Sequence, residues 1–324
     1  MTSASSILRE EISRQGSISF LRFMEVALYH PEHGYYRRGR DPFGRAGDYY
    51  TAEQIQPVFG ILMEQRIRQL CEDLGRPADL TVVELGAGRA EMAEAFSGFR
   101  YCPVEIAGGE WPRQFTGVVF SNEFFDALPV QVAVRRRKEF RELSVGWREG
   151  RFAWVEGSPL GGEPAEYLAR YAADLEEGGW IEINLAALGW LDEIAARLER
   201  GWVLAIDYGY TARELVRFPR GTLMSYRRHV ATEDVLLEPG ERDITSHVNF
   251  TALQDHGALH GLETLRLENL SRTLVDAGEP DGFAAALSSE SPAEGVRRRL
   301  QLKTLLFAMG ETFRTLILRK PERQ

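Results

Sequence analysis

Cysteine is nearly absent: Cys71 and Cys102 are the only two in 324 residues, and neither lies in a C-x-x-C. Two thiols in a chain this long give no disulfide framework. No apolar run approaches the ~20 residues of a membrane span. The first residues, MTSASSILREEISRQG, lack a hydrophobic signal core, and Glu10 and Glu11 speak against a transit peptide. These absences together make a reducing cytoplasm the expected location, with no membrane insertion. Basic residues are outnumbered, 39 Lys+Arg against 48 Asp+Glu, for a formal net charge of -9. Non-specific nucleic-acid binding is therefore not expected, whereas cationic substrates are compatible. There is no internal repeat and no low-complexity segment. What remains is ordinary globular composition, enough for one large domain or two modest ones.

The stretch that organises the chain is Leu80 to Ala93, LTVVELGAGRAEMA. Thr81, Val82, Val83 and Leu85 form a short apolar, β-branched run, as expected of a strand buried on both faces. Gly86 and Gly88 allow a sharp turn and the close approach of a ligand, and Glu91 to Phe96 reads as the helix that follows. Three readings are open. A dinucleotide fingerprint, G-x-G-x-x-G, needs a small residue where Glu91 stands. An S-adenosylmethionine (SAM) turn, E-x-G-x-G, is matched by Glu84-Leu85-Gly86-Ala87-Gly88. An ordinary tight turn without a ligand is the third.

Before this stretch, Ile7 to Ser13 is amphipathic. Ser19 is a helix N-cap candidate, with Phe20, Phe23, Met24, Ala27 and Leu28 at helical spacing as core. A glycine-rich loop, Arg37 to Tyr50, precedes a helix ending near Leu74. After it, Tyr101 to Ile106 and Gly117 to Ser121 read as strands, and Val130 to Val155 as an antiparallel hairpin set. A helix carrying Leu188, Leu191, Ile194 and Leu198 leads into the buried strand Trp202 to Ile206. Tyr210 to His260 is irregular and polar, and reads as an insertion covering the strand ends. Leu262 to Leu267 and Thr312 to Leu318 complete the sheet. Alternating strands and helices imply an α/β, mostly parallel, doubly wound sheet whose ligands sit beyond the carboxyl ends of the strands. The turns Glu84–Gly88, Asn122–Pro129 and Asp207–Tyr210 all fall at such ends.

SNEFFDALPV (Ser121–Val130), with ELGAG before it, resembles the MidA-like family of SAM-dependent methyltransferases, which includes the mitochondrial assembly factor for NADH:ubiquinone oxidoreductase. FMEVALYHPEHGYY (Phe23–Tyr36), GDYYTAE (Gly47–Glu53), IDYGY (Ile206–Tyr210), RGTLMSYRRH (Arg220–His229), EPGERDITSHVNFTAL (Glu238–Leu253) and MGETFRTLI (Met309–Ile317) fit the family in order. The resemblance implies a class I methyltransferase: a Rossmann-like, seven-stranded sheet over 78–324, an N-terminal helical segment over 1–77, a small β insertion around 130–157 and a covering insertion around 210–260. It implies S-adenosyl-L-methionine as cofactor, a protein substrate and, less firmly, methylation of arginine nitrogen; a homodimer is left open. Three positions depart from the pattern. Only Ile106 to Phe120 separates the second strand from Asn122, so a helix usual in the family is expected to be missing. Ala90 stands where a third glycine is frequent, and Ala52-Glu53-Gln54 replaces S-P-E.

On this resemblance Gly86, Ala87 and Gly88 flank the cofactor, and Glu84 takes its α-amino group or backbone donors nearby. Glu105 accepts the ribose hydroxyls, and Asp48 closes over the amino-acid end unless it only makes an Asx turn. Asn122, Glu123, Asp126 and Asp207 are the candidate catalytic residues, and Asn122 is also a candidate for cofactor binding. If Asn122 to Leu128 opens as a helical turn, Glu123 and Asp126 project on one side and could clamp a guanidinium; alternatively Asp126 caps the turn and Glu123 serves the cofactor. His247, Asn249 and Asp243 lie in the covering insertion, where a lone histidine is expected to be structural rather than a base. His256 and His260 have the i,i+4 spacing metals use on a helix, but no third ligand lies nearby in sequence, so no metal is expected. The run Arg135 to Lys138 reads as a solvated edge. The rival functions are a nucleotide-dependent oxidoreductase, opposed by Glu91, and a catalytically silent assembly factor with the same fold.

Overall fold

The computed structural model describes residues 3–37, 52–72, 74–75, 80–105, 110–137 and 139–322. The chain divides into two compact units that interleave in sequence. One comprises Met1–Tyr50, Asp126–Ala187 and Tyr210–Ala252; the other comprises Thr51–Phe125, Leu188–Gly209 and Leu253–Gln324.

The second unit is built on a mixed sheet. Its strands are β1 (Thr81–Leu85), β2 (Arg100–Val104), β3 (Phe115–Asn122), β4 (Leu198–Tyr210), β5 (Glu263–Asn269) and β6 (Phe313–Lys320). The sheet is seven-stranded, with a two-residue strand off its main path, and that path runs β5-β6-β4-β3-β1-β2. β1 is parallel to β2 and β3, β3 is parallel to β4, and β6 runs antiparallel to both β4 and β5. This is the α/β architecture implied by the alternation of strand and helix patterns. Every residue of β1 is buried, as befits a central parallel strand covered on both faces. The helix Val58–Glu72 lays Phe59, Leu62, Met63, Ile67 and Leu70 into the same apolar cluster as Val82, Phe120, Leu204 and Trp202. The Trp202 indole N–H donates to the Leu70 carbonyl at 2.9 Å, so one of the last carbonyls of that helix, which has no intrahelical donor, is satisfied from the sheet.

Two expectations fail here. Glu91 to Phe96 is not a helix but a succession of turns. Ala90 donates to the Ala87 carbonyl, Ala93 to Ala90 and Ser97 to Glu94, and only Phe96 reaches back four residues, to Met92. Gly88 and Ala90 both take positive φ, 53° and 56°, which interrupts any helix at its first turn, while Met92 and Phe96 are anchored in the core. Nor is the stretch after Tyr210 irregular. It holds a three-stranded antiparallel sheet, Val230–Thr232, Met224–Arg227 and Asp243–Thr245, and the helix Phe250–Leu259. Strands of three or four residues are too short for alternation to show in sequence.

The first unit has its own core. The Ser19 hydroxyl accepts the Arg22 N–H at 3.1 Å and starts the helix Phe20–Tyr29, whose Phe20, Phe23, Met24, Ala27 and Leu28 are fully buried. Phe20 packs on Trp154 and Phe23 on Phe152. Both tryptophan and phenylalanine come from Arg151–Pro159, a strand of the antiparallel sheet that also contains Ser17–Ser19, Glu139–Arg148, Gln131–Arg136 and Trp180–Ile183. The hairpin set expected from Val130 to Val155 is therefore present.

Trp202 offers a direct test of the second core. Trp202→Phe removes the N–H, leaves the Leu70 carbonyl without its donor and opens space where the second ring of the indole stood. A loss of roughly 1–3 kcal/mol is expected, read as a lower midpoint in urea denaturation. An unchanged midpoint would mean that water replaces the indole.

Candidate functional site

The carboxyl ends of β1, β2, β3 and β4 gather the site. All side chains of the next two paragraphs lie in the second unit. Gly86 follows β1 directly; its N–H donates to the Val104 carbonyl at 2.8 Å and its φ is 72°. A Cβ there would stand 2.8 Å from Phe124 Cδ2, so glycine is required both by conformation and by space. Two residues on, the Gly88 N–H donates to the Glu105 carboxylate, which is exposed just past β2.

Glu84 is fully buried. One oxygen accepts the Tyr101 hydroxyl; the other, Oε1, has no hydrogen-bond partner among the described residues. Burial pushes the Glu84 carboxyl up to about 7, opposed by the bonds from Tyr101 and Glu53 and reinforced by the charges of Glu91 and Glu105. Glu53 is raised well above the usual range, first by burial and then by Glu84, Glu123 and Glu91. Five acids thus act on one small region, an arrangement that favours either protons or a cation between them. Asn122, at the end of β3, is buried; its Nδ2 donates to Glu123 Oε1 at 3.1 Å, and its Oδ1 has no donor among the described residues. Glu123 sits at φ 52°, an uncommon conformation for a residue with a side chain and a frequent mark of functional loops. Its carboxylate also accepts the Ala52 N–H at 3.3 Å.

The loop after β3 departs from expectation. Asn122 to Leu128 does not form a helical turn. Asp207, with no solvent exposure, accepts the N–H groups of Phe124 and Phe125 on Oδ2, at 3.2 and 2.9 Å, and that of Tyr208 on Oδ1 at 2.9 Å. Those amides are drawn to the carboxylate rather than to helical carbonyls, and Glu123 turns left-handed. Glu123 and Asp126 therefore do not project from one helical face, and Asp126 starts a segment of the first unit, so the paired guanidinium clamp loses its geometric basis. Asp207 is committed to holding the loop. Asp48 lies outside the described residues.

The three insertion residues all lie in the first unit. Asp243 accepts the Tyr36 hydroxyl at 2.8 Å, Asn249 donates to the Tyr167 hydroxyl at 3.0 Å, and burial pulls His247 down to about 4. Arg136 pairs with Glu156 at 2.9 Å on a partly exposed edge. Tyr101 and Glu53 are the site residues that sequence reasoning missed. A tyrosine at the second position of an edge strand carries no signal by itself, whereas Glu53, in the departing Ala52-Glu53-Gln54, did. His256 and His260 gain a third neighbour in Asp192, which lies too far upstream for local spacing to find.

The residues suit S-adenosyl-L-methionine on physical grounds. Its ammonium and sulfonium are positive where the acids converge, Glu84 and Asn122 offer buried oxygens without donors, and the Gly86 turn presents no Cβ. Comparison agrees. A family model described as S-adenosyl-L-methionine-dependent methyltransferase matches residues 102–267, just over half the chain. A Burkholderia thailandensis protein solved with S-adenosylhomocysteine bound is 29% identical, with a TM-score of 0.87 over 99% of this chain and 92% of that one. The chain belongs to this family of methyltransferases, with the class I fold and S-adenosyl-L-methionine as cofactor. Among curated relatives, the Drosophila melanogaster protein arginine methyltransferase NDUFAF7 homolog, mitochondrial, is 27% identical over 75% of this chain and 67% of its own length. The Homo sapiens protein arginine methyltransferase NDUFAF7, mitochondrial, is 24% identical over 76% and 67%. Both are mitochondrial proteins, which overturns the cytoplasmic expectation drawn from cysteine content and leader composition.

Two measurements probe this site. Gly86→Ala is expected to weaken S-adenosyl-L-methionine binding at least about tenfold, or 1.4 kcal/mol, in a protein that still folds; calorimetry giving wild-type affinity would move the cofactor elsewhere. The second concerns protons. Because the Glu84 carboxyl is raised from 4.5 to about 7, its contribution to stability is fully present below about pH 4.5 and is lost as pH rises through 7. Without cofactor, the wild type should therefore lose roughly 1–3 kcal/mol relative to Glu84→Gln between pH 5 and 8. Parallel denaturation curves across that range would show that Glu84 is already ionised.

Proposed function

We propose that the protein methylates a protein substrate on an arginine nitrogen. The observation that carries this reading is Glu123, a carboxylate held in a left-handed conformation beside the cofactor turn and bonded to Asn122 and to a backbone amide. The relatives that bear the name protein arginine methyltransferase support it. Bound S-adenosyl-L-methionine supplies a methyl group already activated by sulfonium charge. Glu84 would hold the ammonium of the cofactor and Glu105 its ribose hydroxyls, while Gly86, Ala87 and Gly88 let it lie against the backbone. Asn122 and Glu123 orient the acceptor guanidinium. A carboxylate facing that cation fixes its plane, offsets its charge and can take the proton that the substituted nitrogen releases. Asp207 is a positioning residue that keeps Glu123 in place. The domain organisation proposed with this function is a methyltransferase domain interrupted by insertions around 130–157 and 210–260.

One observation favours a second reading, a methyltransferase-fold assembly factor with little catalysis. Glu105, the expected ribose acceptor, already accepts the Gly88 N–H, so binding a ribose there competes with an internal bond.

Incubation of the purified protein with methyl-labelled cofactor and a cell extract, followed by mass spectrometry, separates the two. Label on arginine is expected, and label confined to lysine or carboxylates would refute the acceptor assignment. Glu123→Gln should lower transfer by about 10²-fold or more while cofactor affinity stays within about threefold, a change of under 1 kcal/mol. If affinity and transfer fall together, Glu123 belongs to the cofactor; absence of transfer by the wild type favours the assembly factor.

A further inference from the structure

We propose that Asp192, His256 and His260 form a binding site for a divalent transition-metal ion, with zinc as the best-suited occupant. All three belong to the second unit, outside the methyl-transfer site, and the inference does not rest on that function. His256 lies on the helix Phe250–Leu259 and His260 one residue beyond its end; Asp192 lies on the helix Leu185–Arg197.

The geometry is convergent. Both Nε2 atoms point at the same oxygen, Asp192 Oδ1, at 2.7 Å from His256 and 3.1 Å from His260. The rings lie with centroids 4.7 Å apart, and the three donor atoms all fall within 4.8 Å of one another. Donors around a tetrahedral zinc, with bonds of about 2.0–2.1 Å, stand roughly 3.3 Å from each other. The two nitrogen–oxygen spacings must open by roughly 0.2–0.6 Å to reach that value, which exposed side chains allow. Two imidazoles and one carboxylate are a donor set that zinc accepts, with solvent left for the fourth position. The i,i+4 spacing, carried across the end of the helix, brings the two rings side by side. Its carboxyl end, where they sit, carries unsatisfied carbonyls that favour a cation.

The ion would tie the helix leading into β4 to the helix leading into β5. Without it, the two N–H groups can bond to Asp192, so metal must displace two hydrogen bonds. Side chains of Asp192 and His260 are also 48% and 41% exposed. Both facts argue for modest affinity, with a Kd of about 1–10 µM, and for exchange with solvent.

The test is titration of the full chain, stripped with a chelator, with zinc ions by calorimetry and with cobalt ions by absorption spectroscopy. One ion per chain is expected, with micromolar affinity, a cobalt ligand-field band and a raised melting temperature in zinc. Asp192→Asn and His260→Gln should each weaken binding at least about tenfold, and the His256→Gln/His260→Gln double variant should abolish it. The other close histidine pair, His30 and His33, serves as a control: His30→Gln/His33→Gln should bind as wild type. Absence of zinc heat and of a cobalt band in the wild type overturns the proposal, independently of whether any variant folds. Binding that survives the double variant, or that vanishes in the control, overturns it equally.

Discussion

Much of the site geometry depends on where one buried carboxylate spends its lone pairs. Asp207 has no solvent contact and accepts three backbone N–H groups. An ionised carboxylate in such a place is costly unless charge-assisted bonds replace its water, and the chain leaving β3 supplies two of them. Phe124 and Phe125 must bring their amides to β4, so the backbone at Glu123 adopts a left-handed turn. That turn sets the Phe124 ring against the glycine after β1, and the glycine in turn keeps the backbone there bare. The turn after β1 and the loop after β3, far apart in sequence, are shaped by a single acid.

The second constraint is a concentration of like charge. The chain as a whole is only moderately acidic, yet Glu53, Glu84, Glu91, Glu105 and Glu123 all influence one another around the turn. In a medium of low dielectric this is unfavourable unless relieved. Burial and these like charges raise the carboxyls of Glu53 and Glu84, and a cationic ligand relieves the same cost. The cluster therefore favours a positively charged ligand.

The sheet was legible because its strands are short, apolar and bounded by glycine or polar residues. β1, β3 and the core of β4 could be placed from hydrophobic runs alone, and Gly86 from its place between a strand and a small-residue turn. What was not legible followed from long-range contacts. Glu91 to Phe96 has a helical composition, but positive φ at Gly88 and Ala90 and the anchoring of Met92 and Phe96 override propensity. Asp126 looked like a partner of Glu123 because three-residue spacing matters only on a helix, and Asp207, eighty positions away, removed the helix. Tyr101, Glu53 and Asp192 gain meaning only from neighbours that folding brings to them.

The order of strands has a consequence for synthesis. The segments of the first unit are complete by Ala252, whereas β6, the last strand of the sheet in sequence, lies between β4 and β5 and bonds to both. On a ribosome the first unit can assemble while the second still lacks an interior strand. Until Phe313–Lys320 emerges, β4 presents an unpaired edge of buried, apolar character, the kind of surface on which nascent chains stick to one another. The methyltransferase sheet is therefore finished from the inside by its final strand, and the interval before that strand arrives is when the chain has most need of a chaperone.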